Sequence, residues 1–222
     1  MKYPKTLHLP FSQCVNKDDR VADDISNIIG KEIVITEKLD GSNVFLGDDI
    51  IHGRSDKSKL GEWNHNFYWD KRINVLQINL GVRKLLGAGN GFFFENLNAV
   101  HSIEYPQLND YIHLINITTD DGWFTKWFFV EEQADIYGFP TVPKLFEGVC
   151  WTEQQLKGTI GKLMSEDSVY GGKKEGVVVR TTDAFPKEDF DKNVFKFVRE
   201  NHNQTDSNWK REWKKAELIQ SE

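Results

Sequence analysis

Apolar and polar positions along the chain alternate with two different periods. Short runs of β-branched and aromatic residues read as strands: "EIVIT" and "NVFL" within residues 31–46, "GFFFENL" (91–97), "YIHLINI" (111–117), "EGVVVR" (175–180) and "NVFKFVR" (193–199). Asp40-Gly41 between the first two runs is a hairpin signal. Helices are predicted over 67–86, over "FVEEQADIYG" (129–138) and over "TEQQLKGTIGKLM" (152–164), the last opened by Thr152 as a cap. "GFPTVP" follows the middle helix with a glycine stop and two prolines. Strands without regular helical crossovers predict an α+β fold built on antiparallel sheets. Neither an internal repeat nor a low-complexity linker divides the chain, so a single main domain is expected.

Composition narrows the function classes. Of 222 residues, 39% are hydrophobic, 28% charged and 13% aromatic, which fits a folded globular protein and excludes disorder. No apolar run reaches the ~18 residues that would cross a bilayer, and "MKYPKTLHLPF" lacks a signal-peptide core, so a cytoplasmic protein without membrane contact is expected. Cys14 and Cys150 are too few for a disulfide framework and are read as free thiols. A net charge of −6 argues against broad polyanion binding and makes any nucleic-acid contact local. The stretch after residue 195 runs the other way: Lys196, Arg199, Lys210, Arg211, Lys214 and Lys215 outnumber its acids. Trp209 and Trp213 lie four apart within it, the spacing of one helix face.

The chemistry starts from charges set inside apolar strands. Lys38 stands between a strand and the Asp40-Gly41 turn, Glu95 interrupts "FFFEN", Glu175 opens "EGVVVR" and Lys196 interrupts "VFKFV". Such groups are costly to bury unpaired, so each needs a partner, a metal or a ligand. The histidines show no metal-ligand spacing, and His101 is expected to bond a loop. "GGKKEG" (171–176) is not a Walker loop, although Lys173 and Lys174 are candidate phosphate contacts. Trp123 and Trp127 read as core.

Taken in order, "EKLDGSN", "HGRS" (52–55), "FFFENLNAVHSIEY" (92–105), "YIHLINI", "EGVVVR" and "VFKFVREN" resemble the motifs of covalent nucleotidyltransferases, in particular the ATP-dependent RNA ligases of phages and bacteria. The resemblance runs from about residue 3 to 209. It implies an ATP-grasp-like adenylation domain of two packed antiparallel sheets with flanking helices over residues 1–205, a short helical extension over 206–222 and no oligonucleotide-binding barrel. It also implies an enzyme that joins 5′-phosphate and 3′-hydroxyl RNA ends through lysyl-AMP, with ATP and Mg²⁺ or Mn²⁺ as cofactors.

By the same resemblance Lys38 would be the nucleophile, and Lys196 with a bound cation would stabilise the α-phosphate and push the Lys38 amine toward its neutral form. Glu95 would bind the ribose, Arg54 a ribose or phosphate, Glu37 the adenine edge by backbone or side chain, and Glu175 the metal. Asp40, Arg199, Lys173, Lys174, Lys210 and Arg211 are candidate substrate contacts. Two positions depart from the family pattern. Ile115 stands where relatives often stack an aromatic ring on the base, and Lys196 is followed two residues on by Val198 where a second lysine is usual. A DNA or mixed nick as substrate, and a nucleotide- or RNA-binding module without turnover, stay open beside this reading. The expected setting is a monomer acting on nicked or single-stranded RNA, with a kinase or phosphatase preparing the ends.

Overall fold

The computed structural model describes residues 2–15, 17, 19–54, 60–87, 89–200 and 213–219. In chain order the strands are β1 (Leu7–His8), β2 (Glu32–Lys38), β3 (Ser42–Leu46), β4 (Ile51–Gly53), β5 (Asn90–Asn96), β6 (Ala99–Val100), β7 (Ile112–Thr119), β8 (Trp123–Phe124), β9 (Lys144–Val149), β10 (Gly176–Thr181), β11 (Phe185–Pro186), β12 (Val194–Val198) and β13 (Lys214–Lys215). Five α-helices accompany them among the described residues: α1 (Asn66–Trp69), α2 (Lys71–Leu85), α3 (Trp127–Tyr137), α4 (Glu153–Ser165) and α5 (Phe190–Asn193). The mixed α+β class is as expected. A five-stranded sheet runs β1-β12-β10-β2-β9 and a six-stranded sheet β11-β8-β7-β5-β3-β4. Every pair within them is antiparallel except β1 with β12.

Period-two alternation sorts the five-stranded sheet into two faces. Ile33, Ile35, Val177, Val179, Phe195 and Phe197 pack with Leu156, Ile160 and Leu163 of α4. On the six-stranded sheet Val44, Phe92, Phe94 and Leu114 pack with Ile73, Leu76 and Leu80 of α2 and with Trp127, Val130 and Ala134 of α3. Between the sheets Phe45, Phe93 and Phe124 meet Val178 and Val194. The remaining inward positions of both sheets line the cleft described below.

Helix limits follow local chemistry. Thr152 caps α4 by accepting from Gln155 N at 3.1 Å, and Gly138 closes α3 in the left-handed region at φ 71°. The single helix expected over 67–86 is interrupted at Asp70, whose extended backbone ends α1 and whose carboxylate accepts from Arg72 N at 2.8 Å to start α2. Trp127 is core, as expected, whereas Trp123 is 43% exposed. Cys14 and Cys150 are free thiols. No helix among the described residues is long and apolar enough to cross a membrane.

Two expectations about local structure are corrected. Asp40-Gly41 does not close a hairpin: β2 belongs to the five-stranded sheet and β3 to the six-stranded one. The physical reason is that a two-residue hairpin of this kind needs positive φ, and Gly41 is not among the glycines that adopt it. The helix expected over 206–222 is not the conformation of Lys214–Lys215, which pair with β6 as a strand. The segment is anchored by Ile219 N donating to Leu108 O at 2.8 Å and by Tyr111 Oη donating to Ala216 O at 2.9 Å. Trp209, Lys210 and Arg211 lie outside the described residues.

Candidate active site

The cleft between the sheets has a volume of about 270 Å³. β2 contributes Thr36 and Lys38, β10 Val178 and Arg180, and β12 Val194 and Lys196. These are the positions of opposite parity to the face that packs on α4, so one alternation delivers both the core and the cleft. The other sheet supplies Asn43, Glu95, Ile115 and Asn116, while Arg54 stands exposed at the border.

Lys38 ends β2 opposite Gly176 of β10. Its Nζ donates to Glu175 Oε2 at 2.6 Å, with 26% of the lysine side chain and 7% of the glutamate side chain exposed. The sharp approach of the backbones depends on glycine: a Cβ on Gly176 would lie 2.0 Å from Phe197 O. Beyond Lys38 the chain crosses to the second sheet, and Gly41 N donates to Glu95 Oε1 at 3.1 Å. A Cβ on Gly41 would lie 2.7 Å from both Asn96 O and Leu97 Cδ2. The crossing therefore sets Lys38, Glu175 and Glu95 around one space.

The protein's own groups around Lys38 favour its charged form. Burial works to lower its pKa, but Glu175, then Glu95 and Asp40, outweigh burial and raise it. Glu95 is pushed up to about 8, first by burial and then by Glu175 and Asp40 against the opposing Lys38. Lys196 is lowered by burial and by Lys38, with Asp19 opposing. Carboxylates thus outweigh the cation immediately around Lys38, and the amine is held as ammonium rather than driven neutral.

The remaining candidates separate into those at the cleft and those engaged elsewhere. Glu37 borders the cleft, but its side chain lies on the opposite face of β2, 1% exposed, where Val169 N approaches Oε2 at 3.4 Å. Burial raises its pKa. Asp40 Oδ2 accepts from Ser102 N at 2.7 Å and Ile103 N at 3.0 Å, so it orders the 102–103 loop. Lys174 is corrected as a phosphate contact: it is 2% exposed and its Nζ donates to Leu163 O, Glu166 O and Asp167 O at 3.0, 2.9 and 2.6 Å. It satisfies carbonyls at the end of α4 that have no helical partner. Arg199 is half-buried; its Nε donates to Lys174 O at 2.6 Å, its Nη1 to Glu200 O at 3.1 Å and its backbone N to Glu175 O at 3.1 Å. It braces the backbone that presents Glu175. Lys173 is exposed, and its backbone pairs with that of Asp167 in an isolated antiparallel β-bridge. His101 Nε2 lies 3.2 Å from Ser42 Oγ at the start of β3, and its Nδ1 lies 3.9 Å from Asp40 Oδ1 in the turn before it.

Several residues of the site are absent from the sequence reading. Tyr105 Oη accepts from Asp40 N at 2.9 Å and steadies the turn after Lys38. Arg180 is 3% exposed and donates to Thr181 O at 3.0 Å, Thr125 O at 2.7 Å and Asn116 Oδ1, forming the floor of the cleft with Tyr3. Asp19 accepts from Lys196 Nζ at 3.0 Å. A basic residue directly after three valines in a strand was the available signal for Arg180.

Comparison with known proteins bears on what this cleft belongs to. The family model for RNA ligase matches residues 31–198, which contain Lys38, Glu95, Glu175 and Lys196. The chain belongs to the RNA ligase family. Among solved structures, it is similar to a lysine-to-alanine mutant of Naegleria gruberi RNA ligase with ATP and Mn (TM-score 0.56, 16% identity, 89% of this chain and 58% of that chain). It is also similar to a lysine-to-methionine mutant with AMP and Mn (TM-score 0.54, 17% identity, 89% and 57%). An apo lysine-to-alanine mutant of an RNA ligase from the same organism gives a TM-score of 0.54 at 21% identity, over 79% of this chain and 51% of that one. The chain thus spans between about half and three-fifths of the length of these structures, and at such identities the likeness concerns the fold. No curated protein matches it.

Proposed function

We propose that this RNA ligase family member is an ATP-dependent RNA ligase whose residues 1–205 form a nucleotidyltransferase domain and whose nucleophile is Lys38. The observation that carries the reading is the Lys38 amine at the mouth of a cleft shared by Glu95, Arg54 and Lys196, 2.6 Å from the Glu175 carboxylate. In the first step Lys38 Nζ, after losing a proton to solvent, attacks the α-phosphorus of ATP. An N–P bond forms, the bond from phosphorus to the bridging oxygen breaks, and pyrophosphate leaves with that electron pair. AMP then passes from Lys38 to an RNA 5′-phosphate, and a 3′-hydroxyl displaces AMP to seal the strand.

The chain's own residues would divide this work. Lys196 lies where its ammonium can face the growing negative charge of the α-phosphate. Glu95, pushed up to about 8 and therefore largely protonated at neutral pH, is able to donate as well as accept toward ribose hydroxyls. Ile115 and Val178 border the same cleft from opposite sheets and would enclose the base by apolar contact. The excess of carboxylate around Lys38 fits a divalent cation, although the described residues hold no cluster of three His, Cys, Asp or Glu ligands. One carboxylate, Glu175, suits magnesium or manganese that keeps most of its water, and such an ion would supply positive charge to the phosphates. The setting this reading assumes is a cytoplasmic monomer receiving 5′-phosphate ends from a kinase or phosphatase partner.

The deciding experiment is incubation with α-labelled ATP and Mg²⁺. Label should join the protein, survive denaturation and vanish in Lys38→Ala. A wild-type chain that takes up no label would reduce the protein to a binding module. Sealing assays on nicked RNA, single-stranded RNA and nicked DNA then fix the substrate, and a preference for nicked DNA would overturn the RNA assignment.

A further inference from the structure

The strand that carries Lys196 is clamped along its length by the N-terminal segment. β1 runs parallel to β12 with His8 opposite Lys196. Leu9 N donates to Lys196 O at 2.8 Å, and Gln13 N and Cys14 N both donate to Val198 O at 3.1 Å. Ser12 Oγ accepts from Val198 N at 3.0 Å and lies 2.8 Å from His8 Nδ1. On its other side His8 is held by backbone bonds to residues 20 and 22: His8 N donates to Arg20 O and Ala22 N to His8 O, both at 2.8 Å. This return of the chain sets Asp19 between two side chains. Its Oδ1 accepts from Lys196 Nζ at 3.0 Å, and its Oδ2 lies 3.2 Å from His8 Nε2. The His8 ring is buried, 1% exposed, so this carboxylate is the charged group against its Nε2.

We propose that Asp19, backed by His8 and Ser12, is a positioning residue that aims the Lys196 ammonium into the nucleotide cleft and keeps it charged there. An ammonium has three donors and no acceptor. Giving one N–H to Asp19 fixes the direction of the other two, which are then available to phosphoryl oxygens. The need for such a partner is physical. Lys196 is only 17% exposed and shares its cleft with a second ammonium, and both conditions favour the neutral amine. The groups facing it are Asp19 and His8 from the N-terminal segment, Lys38 from β2 and Glu175 before β10, with Arg54 and Arg180 lining the same cleft. Asp19 is the carboxylate that bonds it directly, and burial, which would raise that acid, is outweighed by Lys196 and His8, holding it at about 2. The carboxylate therefore stays charged throughout the working pH range.

The inference rests on the lysyl-AMP reading, and the test separates the two. Single-turnover labelling of the full chain by α-labelled ATP is followed across pH for wild type, Asp19→Asn, Asp19→Ala and Asp19→Glu, with thermal unfolding of each. Asp19→Asn removes the charge with little change in shape. It should label about tenfold more slowly at neutral pH, and its alkaline limb should move about one unit down, because Lys196 loses its proton earlier. Asp19→Glu should recover part of both. If Asp19→Asn labels like wild type with the same alkaline limb, the inference is wrong. If Asp19→Asn and Asp19→Ala lose rate only in proportion to lost folded protein, with the limb unmoved, Asp19 is structural and the inference is again wrong. A wild-type chain that never labels overturns the functional reading itself, and this role for Asp19 with it.

Discussion

Replacing Lys174 with methionine separates a phosphate contact from a structural cation. The substitution keeps the aliphatic stem and removes the ammonium, which donates to Leu163 O, Glu166 O and Asp167 O in a site only 2% exposed. Hydrogen bonds to a charged group contribute about 1.5–3 kcal/mol each, and the cost of burying the ammonium offsets part of their sum. Three bonds at the lower value, less that cost, leave a loss of about 3 kcal/mol. The carbonyls left behind add to it, because α4 ends without a glycine cap and Glu166 is already extended. In a chain of this size such a loss lowers Tm by roughly 6–12 °C. Denaturant unfolding gives the free energy and differential scanning calorimetry the temperature, with ATP labelling measured at a temperature where both proteins are folded. Stability should fall while the KM for ATP stays within about twofold. The reasoning fails if Lys174→Met unfolds like wild type, or if its KM rises tenfold at unchanged stability.

Three further substitutions probe the site from other directions. Gly176→Ala puts a Cβ 2.0 Å from Phe197 O and must force β10 from β12, so it should cost about 3 kcal/mol in urea unfolding and reduce labelling of Lys38. Ile115 lines the cleft, and on the proposed function Ile115→Ala should raise the KM for ATP about tenfold with little change in kcat, as measured by steady-state adenylylation, because the apolar base contact proposed there would act in ground and transition states alike. Glu95→Gln should change how stability depends on pH. Folded Glu95 holds its proton up to about 8 against an ordinary 4.5, so the folded state binds the extra proton between those values and wild type loses stability as pH rises through them. Glutamine has no proton to lose, and the stability of the variant relative to wild type should therefore increase from pH 5 to 8 in paired unfolding curves. A difference constant with pH would contradict the assignment.

Much of the fold was legible because strands and helices announce themselves locally. Runs of β-branched and aromatic residues in "GVVVR" and "VFKFV" mark strands, and Thr152 as a cap marks the start of α4, where its Oγ1 accepts from Gln155 N. What escaped is what partners at long range decide. Asp40-Gly41 encodes a change of direction, but its bonds go to Tyr105, Ser102, Ile103 and Glu95, and those turn a local reversal into a crossing between sheets. Asp19 and Lys196 are 177 residues apart, and a single aspartate in an irregular segment carries no periodic signal. Lys174, beside another lysine and two glycines, has the appearance of a phosphate-binding loop. The opposing signal was the missing glycine cap after α4, which leaves terminal carbonyls in need of a donor.

Parity within strands carries the reading of the site further than the motifs do. Lys38 and Thr36 share one face of β2, so Glu37 must stand on the other, whatever a motif alignment assigns to it. The same count puts Val178 and Arg180 on the cleft side of β10 and Lys196 on that of β12, with Val177, Val179, Phe195 and Phe197 against α4. At position 198 the parity again favours the cleft side, yet the residue there is valine, so this strand presents one ammonium to the cleft and not two. Arg199, the next cation along the chain after β12, gives its Nε to the Lys174 carbonyl. The direction and charge of Lys196 therefore matter more here than they would beside a second lysine, which is why the carboxylate of Asp19 at 3.0 Å carries weight in a chain whose net charge is already negative.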